Sequence, residues 1–328
     1  MLIMLRIILG VSESPSFPAY TRAATDWLPM KERSRALALG LAAVPLSSVI
    51  GAPLSTALIY HFGWTEMFIF LGVVGIIWSI IWLILFRKEP LYSSLVKKAE
   101  LDYVENHKTE DNKRNGQNKS SWRFILFNKT FLLNNYAFFA FGYLLFFGVT
   151  WLPGYISQMF NLNIKQVGIF LILPWVLSTI AILFCGWFSD KLWHKTQSLR
   201  ISRSLIIGVS MVASALLFLP AIFIHDLAVD IVFISLAIAS GLLSNSCFYA
   251  LNADLSPDKA GTSLAIMDVF LALAGIIAPL ATGYFSNLTG NFEIAIGIMM
   301  GLNLSSGLLV LIFQNPDKEL VKKVTVIS

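Results

Sequence analysis

Two ionisable side chains stand inside otherwise apolar sequence near the start of the chain: Arg6 and Glu13, in Leu5-Arg6-Ile-Ile-Leu-Gly10-Val-Ser-Glu13. Seven residues is nearly two helical turns, so both fall on one helix face, about 10 Å apart along its axis. That is too far for a direct ion pair without bending. It suits a cation that holds an anionic ligand and a carboxylate that exchanges a proton nearby, both facing a polar cavity. Each has a plainer reading. Arg6 can snorkel to a membrane surface from a helix end, and Glu13 can make a structural hydrogen bond to a neighbouring helix. Pro15 and Pro18 each remove a backbone donor and are expected to kink the inner half of this helix.

Asp268 is the second acid deep in an apolar run. A buried carboxylate needs a partner, water or a proton, so Asp268 reads either as a second proton site or selector among anions, or as a hydrogen-bonded structural acid. Tyr143 and Asn245 are candidates for neutral hydrogen bonds to ligand hydroxyls from a cavity wall. The Phe-rich surface around Tyr143 reads as lipid-facing or core. Cys185 and Cys247 fall inside apolar runs and read as small packing residues rather than a disulfide or metal pair. No enzyme constellation, metal set or phosphate loop emerges: His61, His107, His194 and His225 are placed in loops, and there is no Cys-x-x-Cys.

The elements that must position these groups follow from composition. Of the 328 residues 56% are hydrophobic and 13% charged, and the mean hydropathy is +0.72. A soluble core cannot absorb so much apolar surface, and 25 Phe exclude a disordered chain. An all-α membrane protein is expected. Apolar windows long enough to span about 30 Å of hydrocarbon recur at roughly 1–22, 36–60, 66–86, 131–157, 164–188, 203–224, 230–252, 262–285 and 292–313, nine in all. Continuous runs of this length exclude a β-barrel.

Placing the connections alternately on two sides sorts the basic residues. Four of the 24 Lys and Arg lie in 22–35, ten in 87–129, four in 189–203, one in 253–261 and three after 313, while the opposite side holds only Lys165. The positive-inside rule makes the basic side and the C-terminus cytoplasmic, with the chain in an inner membrane. The pI of 9.1 is then orientation charge, and no nucleic acid is expected as a partner. Residues 1–86 form a three-helix part, 87–129 a cytoplasmic linker with a surface helix over Leu91–Asn106 and a flexible stretch over 109–120, 130–313 a six-helix bundle, and 314–328 a cytoplasmic tail.

A weak repeat relates the two parts. Pro29-Met-Lys31 leads to Pro53 and then Gly63; Pro257-Asp-Lys259 leads to Pro279 and then Gly290. Duplicated bundles with a ligand at their interface are a transporter architecture. If the first three spans repeat the last three, a further three spans are expected upstream, for twelve in total.

These segments closely resemble the anion:cation symporter family of the major facilitator superfamily, a group of organic-anion permeases. The resemblance runs from end to end and rests on Arg6 with Glu13, the Pro-x-Phe-Pro-Ala run at Pro15–Ala19, the Trp-x-Pro-x-x-Glu-Arg loop at Trp27–Arg33, Gly63-Trp64, and Thr150-Trp151-Leu152-Pro153-Gly154-Tyr155. It implies a major facilitator fold whose nine spans here are the equivalents of helices four to twelve. It further implies that Arg6 holds a substrate carboxylate and Glu13 takes up the co-transported proton. Gly186-Trp-Phe-Ser-Asp190-Lys191 is similar to a superfamily loop in which the acid, here Asp190, pairs at a helix end and holds the inward gate closed, with Lys191 facing the cytosol.

The expectation is proton-coupled symport of a small organic anion, a sugar acid or other carboxylate, by alternating access. The partners are the anion, protons and the lipid bilayer; a monomer is expected, with no cofactor and the proton gradient as energy source. Two other readings stay open: a non-transporting remnant that keeps the fold, and an exchanger or facilitator without proton coupling.

Overall fold

A computed structural model describes residues 2–87, 91, 96–115, 122–224 and 226–319. No strand occurs among the described residues. The first part holds α1 (Leu2–Glu13), α2 (Ser16–Trp27), α3 (Met30–Leu41), α4 (Ala43–Phe62) and α5 (Trp64–Leu85). Between the parts lie α6 (Lys98–Asn115) and α7 (Trp122–Phe127). Then come α8 (Lys129–Thr150), α9 (Leu152–Phe160), α10 (Ile164–Phe170), α11 (Ile172–Thr196) and α12 (Leu205–Leu217). The chain continues through α13 (Leu219–Phe223), α14 (Leu227–Leu243), α15 (Asn245–Leu255), α16 (Ala260–Thr289) and α17 (Glu293–Phe313).

Eight helical runs among the described residues are long and apolar enough to cross a membrane. They match the expected spans except the first. Over 1–22 the chain forms α1 and α2, each 12 residues, separated by a turn at Ser14 and Pro15. Proline explains the break. Pro15 cannot donate to the ladder of α1, whereas Pro18 sits in the first turn of α2, where a missing N–H costs nothing. The expected kink is thus a full interruption, and neither piece alone is long enough to cross.

The proposed repeat has a local structural counterpart. Pro53 and Pro279 both lie inside helices, and both helices stop at a glycine with positive φ, 100° at Gly63 and 73° at Gly290. Only glycine takes such angles without steric cost.

Helix α8 packs on α16 and α17, α12 on α17 and α14, and α11 on α14. The Phe-rich surface of α8 is core: Phe131, Phe138, Phe141 and Phe147 are buried. Apolar burial alone gives helices little reason to associate in lipid, so close approach matters more. A Cβ on Gly307 of α17 would lie 2.8 Å from the Gly208 carbonyl oxygen of α12, and one on Gly142 of α8 would lie 2.9 Å from the Ala274 side chain of α16. Helix α5, by contrast, packs on α4 and buries only Met67 among its residues.

The linker helix is described over Lys98–Asn115 and so includes 109–115, part of the stretch expected to be flexible, while residues 92–95 of the helix expected over Leu91–Asn106 lie outside the described residues. The Glu100 carboxylate accepts the Lys97 backbone N–H at 3.1 Å, which fixes the start there. Three of the histidines also differ from expectation: His61, His107 and His194 lie within α4, α6 and α11. His225 and residues 116–120 of the expected flexible stretch lie outside the described residues.

Candidate functional site

The first-named pair of residues straddles the limit of description. Arg6 falls on α1, but its side chain lies outside the described residues. Glu13 is the last residue of α1 and is exposed, immediately before the Ser14-Pro15 turn.

Helix α2 places Glu13 relative to the second part. Arg22 donates to the carbonyls of Pro257 and Asp258, at 3.3 and 3.2 Å, and the Cβ position of Gly261 is 3.6 Å from the Pro18 carbonyl oxygen. Phe17 meets Tyr249, ring centroids 6.0 Å apart, and the Tyr249 hydroxyl donates to Asp268 at 3.2 Å. Moving back along α2 therefore means moving forward along α16, and the two run antiparallel. Asp268 lies seven residues past Gly261, about 10 Å along the axis. Glu13 lies five residues before Pro18, beyond the turn at Ser14 and Pro15 that separates α1 from α2.

The neutral candidates are deeper in the second part. Tyr143 is buried, and its hydroxyl faces that of Thr282 on α16. The Asn245 amide oxygen is buried without a hydrogen-bonding partner. Nearer the basic end, level with Ser263 and Met267 of α16, Asn134 of α8 donates to the Asn252 side chain at 3.1 Å and to the Phe248 carbonyl at 3.3 Å, tying α8 to α15.

A continuous ionic network closes the end of the bundle that carries the basic residues. Asp190 of α11 accepts the Arg35 backbone N–H of α3 at 2.7 Å and pairs with Arg203 at 3.0 Å. Arg203 also reaches Asp254 of α15 at 3.4 Å and bonds the Ser189 hydroxyl and the Met30 carbonyl. Asp254 pairs in turn with Arg33 of α3 at 2.5 Å. Arg33, Arg203 and Asp254 are all buried. Charges so enclosed persist only when paired, and removing one partner of such a pair costs about 3–5 kcal/mol. Lys191 takes no part in this network; its ammonium lies over the Trp187 ring, 4.9 Å from the centroid.

Glycine permits the close seating of α3. A Cβ at Gly186 of α11 would overlap Ala38 and lie 3.0 Å from the Ser34 carbonyl oxygen. Further along α11 its neighbour is α4 instead of α3. A cavity of about 1030 Å³ opens between Ser48, Pro53 and Tyr60 of α4 and Ile172 and Trp175 of α11. Its walls are largely apolar, so it is an opening between the parts rather than a seat for an anion.

Sequence reasoning singled out Asp190 and missed its partners. Arg33 stood in a quoted motif without a role, Arg203 was counted as orientation charge, and Asp254 was not singled out. The available signal was placement: an acid at the end of an apolar run opposite basic residues at the ends of two others.

The comparisons with known proteins agree with this architecture. Residues 1–245 match the Major Facilitator Superfamily. A probable sulfoacetate transporter, SauU, of Cupriavidus necator is 29% identical over 315 residues, covering 96% of this chain and 72% of that protein. The hexuronate transporter of Bacillus subtilis is 26% identical, covering 96% of this chain and 73% of its own length. The probable galactarate/D-glucarate transporter GudP of the same bacterium is 31% identical, covering 98% and 72%. The crystal structure of the transporter FucP in its outward conformation superposes with a TM-score of 0.52 at 14% identity, over 92% of this chain and 73% of that one.

Proposed function

This chain belongs to the Major Facilitator Superfamily, as a multi-pass membrane transporter and not an enzyme, and from that premise we propose that it moves a small organic anion by proton symport. The anion is a carboxylate or sulfonate of the size of a sugar acid, the class named for its relatives. Residues 1–86 supply one wall of the pathway and 130–313 the other, with 87–129 as a cytoplasmic linker and 314–328 as a cytoplasmic tail in an inner membrane.

The observation that carries this reading is the asymmetry of the interface between the two parts. The basic end is sealed by Arg33, Asp254, Arg203 and Asp190, while the opposite end opens between α4 and α11. That asymmetry supports a reading as one state of an alternating-access cycle, open to the outside and closed to the cytosol.

In the cycle, external protons reach the exposed Glu13 and the anion docks on Arg6, with Asp268 as a second proton acceptor on the other part. Tyr143 and Asn245 donate hydrogen bonds to the substrate's neutral oxygens. Loading both lets the parts rock, which breaks the network of Asp190 and opens the cytosolic side. Coupling arises because Glu13 binds its proton with different affinity in the two states. The proton gradient supplies the energy and no cofactor takes part.

Reconstitution of the full chain in proteoliposomes tests this with glucuronate, D-glucarate and sulfoacetate as probes. An inward proton gradient is expected to drive accumulation of at least one of them, and Glu13→Gln to abolish the gradient dependence. Uptake by wild type that ignores the gradient, or accumulation by Glu13→Gln equal to wild type, overturns symport.

A further inference from the structure

Two thiols lie directly beneath the gate. Cys185 of α11 and Cys247 of α15 are fully buried, with their sulfurs 3.6 Å apart. Both flank the seat of α3. Gly186, next to Cys185, receives Ala38 and Ser34, and the Ser246 hydroxyl, next to Cys247, lies 3.4 Å from that of Ser34. Cys247 also donates to the Ser189 hydroxyl at 3.4 Å, and the same hydroxyl is bonded by Arg203. A short path of contacts therefore runs from the sulfur pair through Ser189 and Arg203 to Asp254 and Arg33.

We propose that Cys185 and Cys247 form a reversible disulfide, an oxidative modification site that restrains the gate above it. The regulatory part rests on the transporter reading; formation of the bond does not. In contact already, the sulfurs must close from 3.6 Å to about 2.05 Å.

Hydrogen peroxide is the oxidant. Cys247 has Arg203 on the far side of its Ser189 partner and is the attacking sulfur. Its sulfur bonds one peroxide oxygen, the O–O bond breaks, and the departing oxygen leaves as water with the thiol proton. Cys185 then attacks the sulfenic sulfur; the S–S bond forms, the S–O bond breaks, and a second water leaves with the Cys185 proton. Two thiols lose two electrons and two protons, and one peroxide becomes two waters.

Burial makes this reaction dependent on state. With α3 seated on Gly186 the thiols are shielded, and separation of α3 from α11 uncovers them. The bond then sutures α11 to α15 and removes the Cys247 donor from Ser189, altering the surface on which α3 must reseat.

The test uses the full chain in lipid nanodiscs treated with hydrogen peroxide, then denatured, alkylated with N-ethylmaleimide and weighed intact. Untreated protein is expected to carry two adducts and oxidised protein none, with dithiothreitol restoring both. In Cys185→Ser, dimedone is expected to trap a sulfenic acid on Cys247; in wild type it is not. Arg33→Gln, which unseats α3, is expected to oxidise faster. Two adducts surviving peroxide in both wild type and Arg33→Gln overturns the proposal and leaves the cysteines as packing residues. Peroxide is also expected to lower wild-type uptake by about fivefold, the low end of coupling between two sites, and to spare Cys185→Ser. A disulfide that forms without changing uptake overturns the regulatory part. Absence of uptake by reduced protein counts instead against the transport reading.

Discussion

Nη1 of Arg33 lies 2.5 Å from Oδ1 of Asp254, an ion pair that joins α3 to α15 across 221 residues of sequence with both side chains shut off from solvent. Because Asp254 also faces Arg203, the carboxylate is shared between two cations from different helices. In the proposed cycle this pair is made only while the basic end is closed, so it bears on the choice between states as well as on the fold.

Arg33→Gln is therefore expected to destabilise the closed gate by about 3–5 kcal/mol, the cost of stranding a buried charge. The measurement is labelling of a cysteine introduced at Ala38, buried against Gly186. A reagent applied from the cytosolic side should leave Ala38→Cys unmodified alone and modify it in the double variant. Equal protection in both would show that the ion pair does not hold the gate.

Gly186→Ala inserts a methyl group where Ala38 and the Ser34 carbonyl already sit. Overpacking of this kind costs about 1–3 kcal/mol, expected here as a loss of uptake of about fivefold or more. Gly301 of α17, whose Cβ position meets nothing within 4 Å, is the control. Gly301→Ala should transport as wild type does and melt at the same temperature or slightly above, because alanine favours the helix by up to about 1 kcal/mol.

Asp268→Asn keeps the shape of the side chain that accepts from Tyr249 but cannot exchange a proton. Anion affinity is expected to change by less than about tenfold, since the loss is at most that of one neutral hydrogen bond. Protons moved per anion should fall, read as a shift in the reversal potential of reconstituted protein. An unchanged reversal potential would assign Asp268 a structural role only.

Tyr103 of the linker helix donates to Glu32 at 2.6 Å and carries the Lys31 ammonium 4.4 Å above its ring, one residue from Arg33. Both contacts are exposed, so Tyr103→Phe should cost about 1 kcal/mol or less. Faster amide exchange confined to α6 and the first turn of α3 is the expected signature, with the melting temperature nearly unchanged.

Much of the fold was legible because it rests on local properties. Run length identified eight of the spans, and the prolines at 15 and 18 marked the bend that became a break between α1 and α2. The severity of that break was not legible, since a proline in a helix interior and one in a first turn look the same until the helix start is known. The start of α6 at Lys98 was not legible for a related reason: it is set by the Glu100 carboxylate accepting the Lys97 N–H, a contact that apolar periodicity does not record. The motif around Trp151 and Tyr155 supported the family resemblance while hiding its local role. Trp151 donates to the Pro279 carbonyl at 3.1 Å and Tyr155 to Asp230 at 3.0 Å, fastening this junction to the interior of α16 and the first turn of α14.

The amino-acid order by itself determined that this is an all-helical membrane chain, how its basic residues sort between alternate connections, and which family its motifs resemble. Each of these depends on the length of an apolar run or on residues a few positions apart. Only the tertiary structure decided that Arg33, Arg203, Asp190 and Asp254 form one buried network, and that Cys185 meets Cys247 beneath it. Those meetings depend on the rotation of each helix about its axis and on how closely Gly186 lets α3 approach α11. Hydrophobic period and composition carry no record of either, because in lipid the helix faces are apolar on nearly every side.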